Sequence, residues 1–213
     1  MEYTVFSPSW QRYGRFRHFC DEVPCAITMQ GRVDVTALYA AVHGHLSFTG
    51  ALLYCVSYVV NNREEFRMTA TRAGEPAVFD TVHPSYTVLH EDETCTATYT
   101  RYHADVRTFL DRYSEDAARA KTLRDDAVPM PDNVFYAANL PWFAYDAVSL
   151  QYGSGAEIPL LPTVVFGAFR QTDARILLPV TLSIHHAAAD GYQVSRFFVE
   201  LSKVAAGIAH RLS

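Results

Sequence analysis

The clearest periodicity in the chain lies near its end, where Val194, Phe197, Phe198, Leu201, Val204, Ala205 and Ile208 recur at three- and four-residue steps. That spacing predicts an amphipathic helix with one face on a core. Val106, Phe109, Leu110, Tyr113 and Ala117 share one face in the same way and predict another helix. Residues 35–45 read as a helix opening after Asp34, a residue suited to the N-cap, and 48–62 are apolar enough for a mostly buried helix. Strand-like runs occupy 25–34, 66–72, 77–80, 86–90 and 94–102, punctuated by Gly74, Pro76 and Pro84. After a polar loop holding Pro129 and Pro131, three more such runs fall at about 143–151, 162–170 and 175–186. The first twenty residues are rich in Arg and aromatics and show no clear period.

Helices early, a run of strands and a closing helix make a mixed α+β order, and one domain over residues 1–213 is the expectation for this length. The segments 160–169 and 176–184 are almost wholly apolar, which predicts a sheet covered on both faces, in an α/β sandwich.

Composition removes several function classes. The net charge of -5 and the lack of any basic run argue against nucleic acid as the partner. No apolar stretch approaches membrane-spanning length, and the N-terminus lacks a signal-peptide pattern, so a cytoplasmic protein is expected. Cys20, Cys25, Cys55 and Cys95 show no CxxC spacing; free thiols in a reducing compartment are expected and a metal site is not. The 13 Tyr, 13 Phe and 2 Trp are equally consistent with core, interface or an aromatic pocket.

The informative stretch is Ile184-His185-His186-Ala187-Ala188-Ala189-Asp190-Gly191-Tyr192. Two histidines end an apolar strand, so one can be half-buried and still reach a cleft. Small residues beside them leave room for a substrate, Gly191 permits a tight turn, and Asp190 is placed to cap the last helix. A His pair alone is more often structural or a weak metal site. No Cys or carboxylate set stands at ligand spacing, and no Gly-x-Ser-x-Gly occurs.

This HHxxxDG pattern resembles the active-site signature shared by chloramphenicol acetyltransferases, dihydrolipoyl acyltransferase domains and condensation domains. Similarity to the chloramphenicol acetyltransferase family runs along nearly the whole chain: Trp10-Gln11-Arg12, Arg17-His18-Phe19, Val23-Pro24-Cys25, Val33-Asp34-Val35-Thr36, Glu65-Phe66-Arg67-Met68, Tyr86-Thr87-Val88, Leu140-Pro141-Trp142, Tyr145-Asp146 and Leu177-Leu178-Pro179-Val180, in that order. The resemblance implies a two-layer α/β sandwich of the CoA-dependent acyltransferase type, acetyl-CoA as co-substrate and a homotrimer with active sites between subunits. It also implies His186 as the general base that takes the acceptor hydroxyl's proton, and a structural pair of Asp190 with Arg12. By the same resemblance, His18, Phe19, Cys25, Thr87, Cys95 and Ala97 would wall the acceptor site, with chloramphenicol a candidate acceptor and antibiotic resistance the family's usual role.

Three positions depart from the family. Ala147 stands where the family has the serine that stabilises the oxyanion, and losing one such donor costs on the order of 10²–10³ in rate. Ser149, two residues on, would face the same side of a strand. Val165 stands where the family has a threonine, with Thr163 two positions away, and His18 and Cys95 replace aromatics of the acceptor wall. An impaired trimer that binds a small molecule or CoA without turnover is therefore the alternative to an O-acetyltransferase. The dihydrolipoyl class normally carries lipoyl modules on Pro/Ala-rich linkers, and the sequence holds none.

Overall fold

The computed structural model describes residues 2–123, 129–151, 157–172 and 174–212. In chain order the elements are β1 (Tyr3–Val5), α1 (Tyr13–Arg17), β2 (Ala26–Asp34), α2 (Thr36–Val42), α3 (Phe48–Asn61), β3 (Met68–Ala70), β4 (Pro76–Phe79), β5 (His83–Leu89) and β6 (Cys95–Tyr99). They continue with α4 (Val106–Thr122), β7 (Val134–Leu140), β8 (Thr163–Gly167), β9 (Arg170–Gln171), β10 (Ile176–His185), α5 (Gly191–Ala206) and α6 (Ile208–Leu212). A π-helical turn, His18–Glu22, continues α1 directly.

Seven strands form the main sheet in the order β2-β10-β8-β7-β5-β6, with β9 alongside β10. A small antiparallel sheet, β1-β4-β3, stands apart. Alternation along β10 sorts its residues: Leu178, Val180, Leu182 and Ile184 join the helical core, while Thr181, Ser183 and His185 point to the other face. Helices supply the second layer on the first of these faces. Val194, Phe197 and Leu201 of α5 have no exposed surface, and each such side chain contributes roughly 1.5–3 kcal/mol on burial. The mixed α+β sandwich expected from the sequence is the architecture observed.

Local chemistry sets the helix starts. Ser47 accepts the Gly50 N–H at 3.1 Å, and Asp105 accepts that of Thr108 at 2.9 Å. Asp34 accepts from both the amide and hydroxyl of Thr36, at 3.0 and 2.6 Å, and these bonds hold its carboxyl below the usual range. Asp34 stands one residue before the N-cap, which is Val35, whose carbonyl accepts the Tyr39 N–H, so the expected Asp34 cap is corrected by one position. The helix stops at Val42, shorter than the expected 35–45. Likewise the run 66–72 keeps only β3 as strand, after a 3₁₀ turn at Glu64–Phe66.

Two expectations fail. Residues 143–151 form no strand, and Val134–Leu140, unforeseen, is the strand β7. The reason is topological: β7 and β10 occupy the two edges of β8, so the 143–151 segment has no edge there to pair with. It crosses the non-helical face instead. Tyr145 is buried there, its hydroxyl donating to the Val165 carbonyl at 2.8 Å and accepting from Thr181 at 3.2 Å. Coverage of both faces therefore holds at β8 and β10. It fails toward β5 and β7, where Leu89 and Tyr136 are 42% and 48% exposed on that same face.

Candidate active site

β10 ends at His185, and the next residues turn into α5. His185 is buried and its Nδ1 accepts the Ala187 N–H at 3.0 Å. Burial first, and His186 second, push its proton affinity below the ordinary imidazole value. His186 is different. Its side chain keeps 21% of its surface, its backbone N–H donates to the Cys25 carbonyl at 2.9 Å, and its ring stacks on Phe19 at 3.9 Å and 20°. Its Nδ1 lies 3.2 Å from the Ala189 carbonyl. A carbonyl only accepts, so Nδ1 carries the proton, and Nε2 is left as the basic nitrogen.

Asp190 closes the turn. One carboxylate oxygen, Oδ2, meets Arg12 at 3.4 Å, and Oδ1 meets Arg15 at 2.9 Å and Nδ1 of His186 at 3.4 Å. Its backbone N–H donates to Gln193 at 3.0 Å, half of a capping box at the head of α5. Arg12 also donates to the Ala188 carbonyl at 3.3 Å.

Two local expectations are corrected. Ala187, Ala188 and Ala189 do not border open space: they are packed in the core, at 0%, 1% and 0% exposure. Small side chains are needed there because the turn itself is buried. Gly191 needs no left-handed backbone; a Cβ on it would meet nothing within 4 Å, so this glycine leaves room beside the helix start.

Phe19 and Cys25 contact His186, and His18 lies beyond Phe19, its ring 5.0 Å from that ring and its Nδ1 2.8 Å from Glu22. Thr87 and Ala97 face each other across β5 and β6, with Cys95 further along β6. β5 is three strands from β10, about 14 Å at ordinary strand spacing. Thr87 and Cys95 instead line a cavity of about 480 Å³ with Leu53, Tyr113 and Trp142.

Ala147 and Ser149 are exposed on the irregular segment, so strand alternation does not bring Ser149 to the side of Ala147. That segment is pinned on either side of Ala147. Asp146 pairs with Arg32 at 2.9 Å and Arg170 at 3.1 Å, and Gln30 donates to the Val148 carbonyl at 2.7 Å. Val165 is buried, and Thr163 sits opposite Ser183, whose hydroxyl accepts from Thr28 at 3.0 Å. Among the described residues no group of three or more His, Cys, Asp or Glu could hold a metal ion, and no helix is long and apolar enough to cross a membrane.

Sequence reasoning missed Arg15, whose three-residue spacing from Arg12 was the available signal. It also missed Gln193, which the Asp-x-x-Gln spacing announces.

The chloramphenicol acetyltransferase family profile matches residues 1–202. The chain belongs to that family. A chloramphenicol acetyltransferase of Streptomyces acrimycini is 36% identical over 204 residues, covering 93% of this chain and 91% of that one. One of Clostridium perfringens is 32% identical over 199 residues, covering 92% and 94%. Among solved structures, a chloramphenicol acetyltransferase superposes with a TM-score of 0.82 at 19% identity, over 95% of this chain and 99% of that one. The dihydrolipoamide acetyltransferase of Azotobacter vinelandii shares the fold, with a TM-score of 0.68 at 18% identity, over 100% and 94% of the chains. The family is one of acyltransferases, and its fold is the sandwich described above.

Proposed function

We propose that this chain is a CoA-dependent O-acetyltransferase with His186 as general base, acting on the hydroxyl of a small acceptor, of which chloramphenicol is the first to test. The observation that carries the reading is the Nδ1 contact with the Ala189 carbonyl, which commits Nε2 to proton acceptance. In the reaction, Nε2 takes the acceptor's hydroxyl proton and the oxygen attacks the acetyl thioester carbon. The C–S bond then breaks, and the proton passes to the departing thiolate. Stacking on Phe19 fixes the ring plane, while Arg12 and Asp190 brace the turn behind it.

The reading includes one domain working in a homotrimer, with sites between subunits. It is supported by the separation of Thr87, Cys95 and Ala97 from His186 within one chain, and by the apolar surface of Leu89, Tyr136, Trp142 and Phe143 on and beside the open half of the sheet. Cys20, Cys25, Cys55 and Cys95 are all free, which fits a reducing cytoplasm. Resistance to chloramphenicol is the role that would follow if the drug is the acceptor.

The test is CoA release from acetyl-CoA, with and without chloramphenicol and then across a panel of alcohols. Release that disappears in His186→Ala supports the proposal; no release with any acceptor overturns it. The second reading, a trimer that binds without turnover, is favoured by Ala147 and by the buried methyls of Val165. Turnover dependent on His186 eliminates it.

A further inference from the structure

Asp190 has two guanidiniums, and the shorter contact belongs to Arg15 rather than Arg12: 2.9 Å against 3.4 Å. The division of labour is also visible in what else each arginine touches. Arg12 spends a second N–H on the Ala188 carbonyl and so braces the turn. Arg15 sits with its guanidinium carbon 5.5 Å from the centre of the Phe19 ring, the ring on which His186 stacks. Arg15 therefore reaches His186 along two routes, through the carboxylate and through the aromatic ring.

The carboxylate route holds a competition. Oδ1 of Asp190 stands 3.4 Å from Nδ1 of His186, while the Ala189 carbonyl stands at 3.2 Å. A carboxylate is the stronger acceptor of the two, because a charge-assisted hydrogen bond is about twice as strong as a neutral one. With nothing else on Oδ1, a small movement would transfer the Nδ1–H from the carbonyl to the carboxylate. The ring would turn and slide on Phe19. Arg15 faces that oxygen at 2.9 Å as an ion pair without hydrogen-bond geometry, and its charge weakens the oxygen's pull on the Nδ1–H.

We propose that Arg15 is a positioning residue: by engaging Oδ1 of Asp190 it keeps His186 bound to the Ala189 carbonyl and parallel to Phe19. The inference rests on His186 being the working base, but its central claim concerns ring position and can be read without any substrate. Other ionisable groups around the imidazole leave the role to Arg15. His185 spends Nδ1 on a backbone amide, Glu22 is taken up by His18, and Arg12 holds the opposite carboxylate oxygen. Cys25 touches His186 through its carbonyl.

The experiment compares wild type, Arg15→Gln, Arg15→Lys and Arg12→Gln as intact protein. Imidazole ¹H–¹⁵N spectra are recorded, with the His186 signals assigned by their loss in His186→Ala. The expected result is a displaced Nδ1–H resonance in Arg15→Gln, moved in the direction of a stronger hydrogen bond, restored in Arg15→Lys and smaller in Arg12→Gln. With an acceptor that is turned over, kcat in Arg15→Gln falls on the order of tenfold, since misplacing a reacting group by about 1 Å can cost about 10²-fold. KM for acetyl-CoA stays within about twofold, since ground-state binding is untouched, and Arg15→Lys recovers most of the loss. An unmoved His186 signal in folded Arg15→Gln overturns the proposal, as does equal damage from Lys and Gln. A moved signal in a protein that turns nothing over keeps the positioning role and sinks the acetyltransferase reading instead.

Discussion

Replacing Gly167 with alanine tests how the segment bearing Ala147 is held down. A Cβ at Gly167 would lie 2.8 Å from Cγ of Pro179 and 2.8 Å from both Cδ1 and Cε1 of Tyr145. Contacts that short require movement, and neither neighbour yields freely. Pro179 is fixed in β10 between β2 and β8, and Tyr145 is pinned through its hydroxyl to Val165 and Thr181. If both shift slightly, overpacking costs about 1–3 kcal/mol. If Tyr145 is expelled, its lost hydrogen bonds add about 1 kcal/mol each, and Asp146, Ala147 and Val148 lose their anchor. Urea unfolding at one fixed protein concentration, needed because assembly shifts the midpoint, should show about 2–4 kcal/mol of destabilisation. CoA release should fall with it. In a Tyr145→Ala background the same substitution should cost at least about 1 kcal/mol less, because the clashing ring is gone. A Gly167→Ala protein as stable as wild type, or equal costs in both backgrounds, refutes the packing argument.

Ala147→Ser should raise turnover by about 10-fold or more if the segment presents the restored hydroxyl to the oxyanion, read as kcat with KM little changed; an unchanged kcat means the segment lies elsewhere during reaction. Stability should fall as pH drops from about 6.5 toward 5, because the half-buried His83 and the buried His185 both have proton affinities lowered chiefly by desolvation. The sign follows from the unfolded chain, which binds protons in that window while the folded one does not. In His83, Nδ1 accepts the Tyr102 N–H at 3.1 Å, so His83→Gln should flatten the urea-midpoint profile over that range, and an unaltered slope would show that His83 contributes nothing. Cys55 is fully buried with its thiol pushed up to about 12, whereas Cys95 is exposed. A thiol reagent should modify Cys95 in the native protein and Cys55 only after denaturation; native labelling of Cys55 detected by peptide mapping would contradict the burial.

Long periodic segments were legible in the sequence because burial imposes their spacing: α4 and α5 stand where the apolar stripes place them, and β10 where the almost wholly apolar run does. The errors cluster in 129–151, where the signals mislead for identifiable reasons. Val134–Leu140 is diluted by Ala137, Ala138 and Asn139, small or polar residues that a parallel strand between two neighbours can hold. Residues 143–151 alternate because Tyr145 packs down while Asp146 turns out to two arginines, a period of two with no ladder behind it. Within the site, the His186–Asp190 turn and the Arg12 contact were readable from the motif and the family resemblance. The Arg15 contact had only the three-residue spacing from Arg12 as a signal, and the way α1 lies against the turn decides the rest. The three alanines show the reverse error, since smallness in a sequence does not say whether the freed volume goes to a ligand or to the protein's own interior.

The pairing of β2 with β10 joins residues 26–34 to 177–185, so one margin of the sheet unites segments far apart in the sequence. Contacts of such long sequence separation form late and slowly. On the ribosome, β2 must wait for its partner while roughly 140 residues are made, at about 5–20 residues per second. Its unpaired backbone edge stays open to chaperones or to neighbouring chains for that interval of many seconds. Arg12 and Asp190, 178 positions apart, likewise meet only after the residues between them have emerged. A nascent chain stalled before β10 would carry β5 to β8 but neither a finished sheet nor the His186 turn.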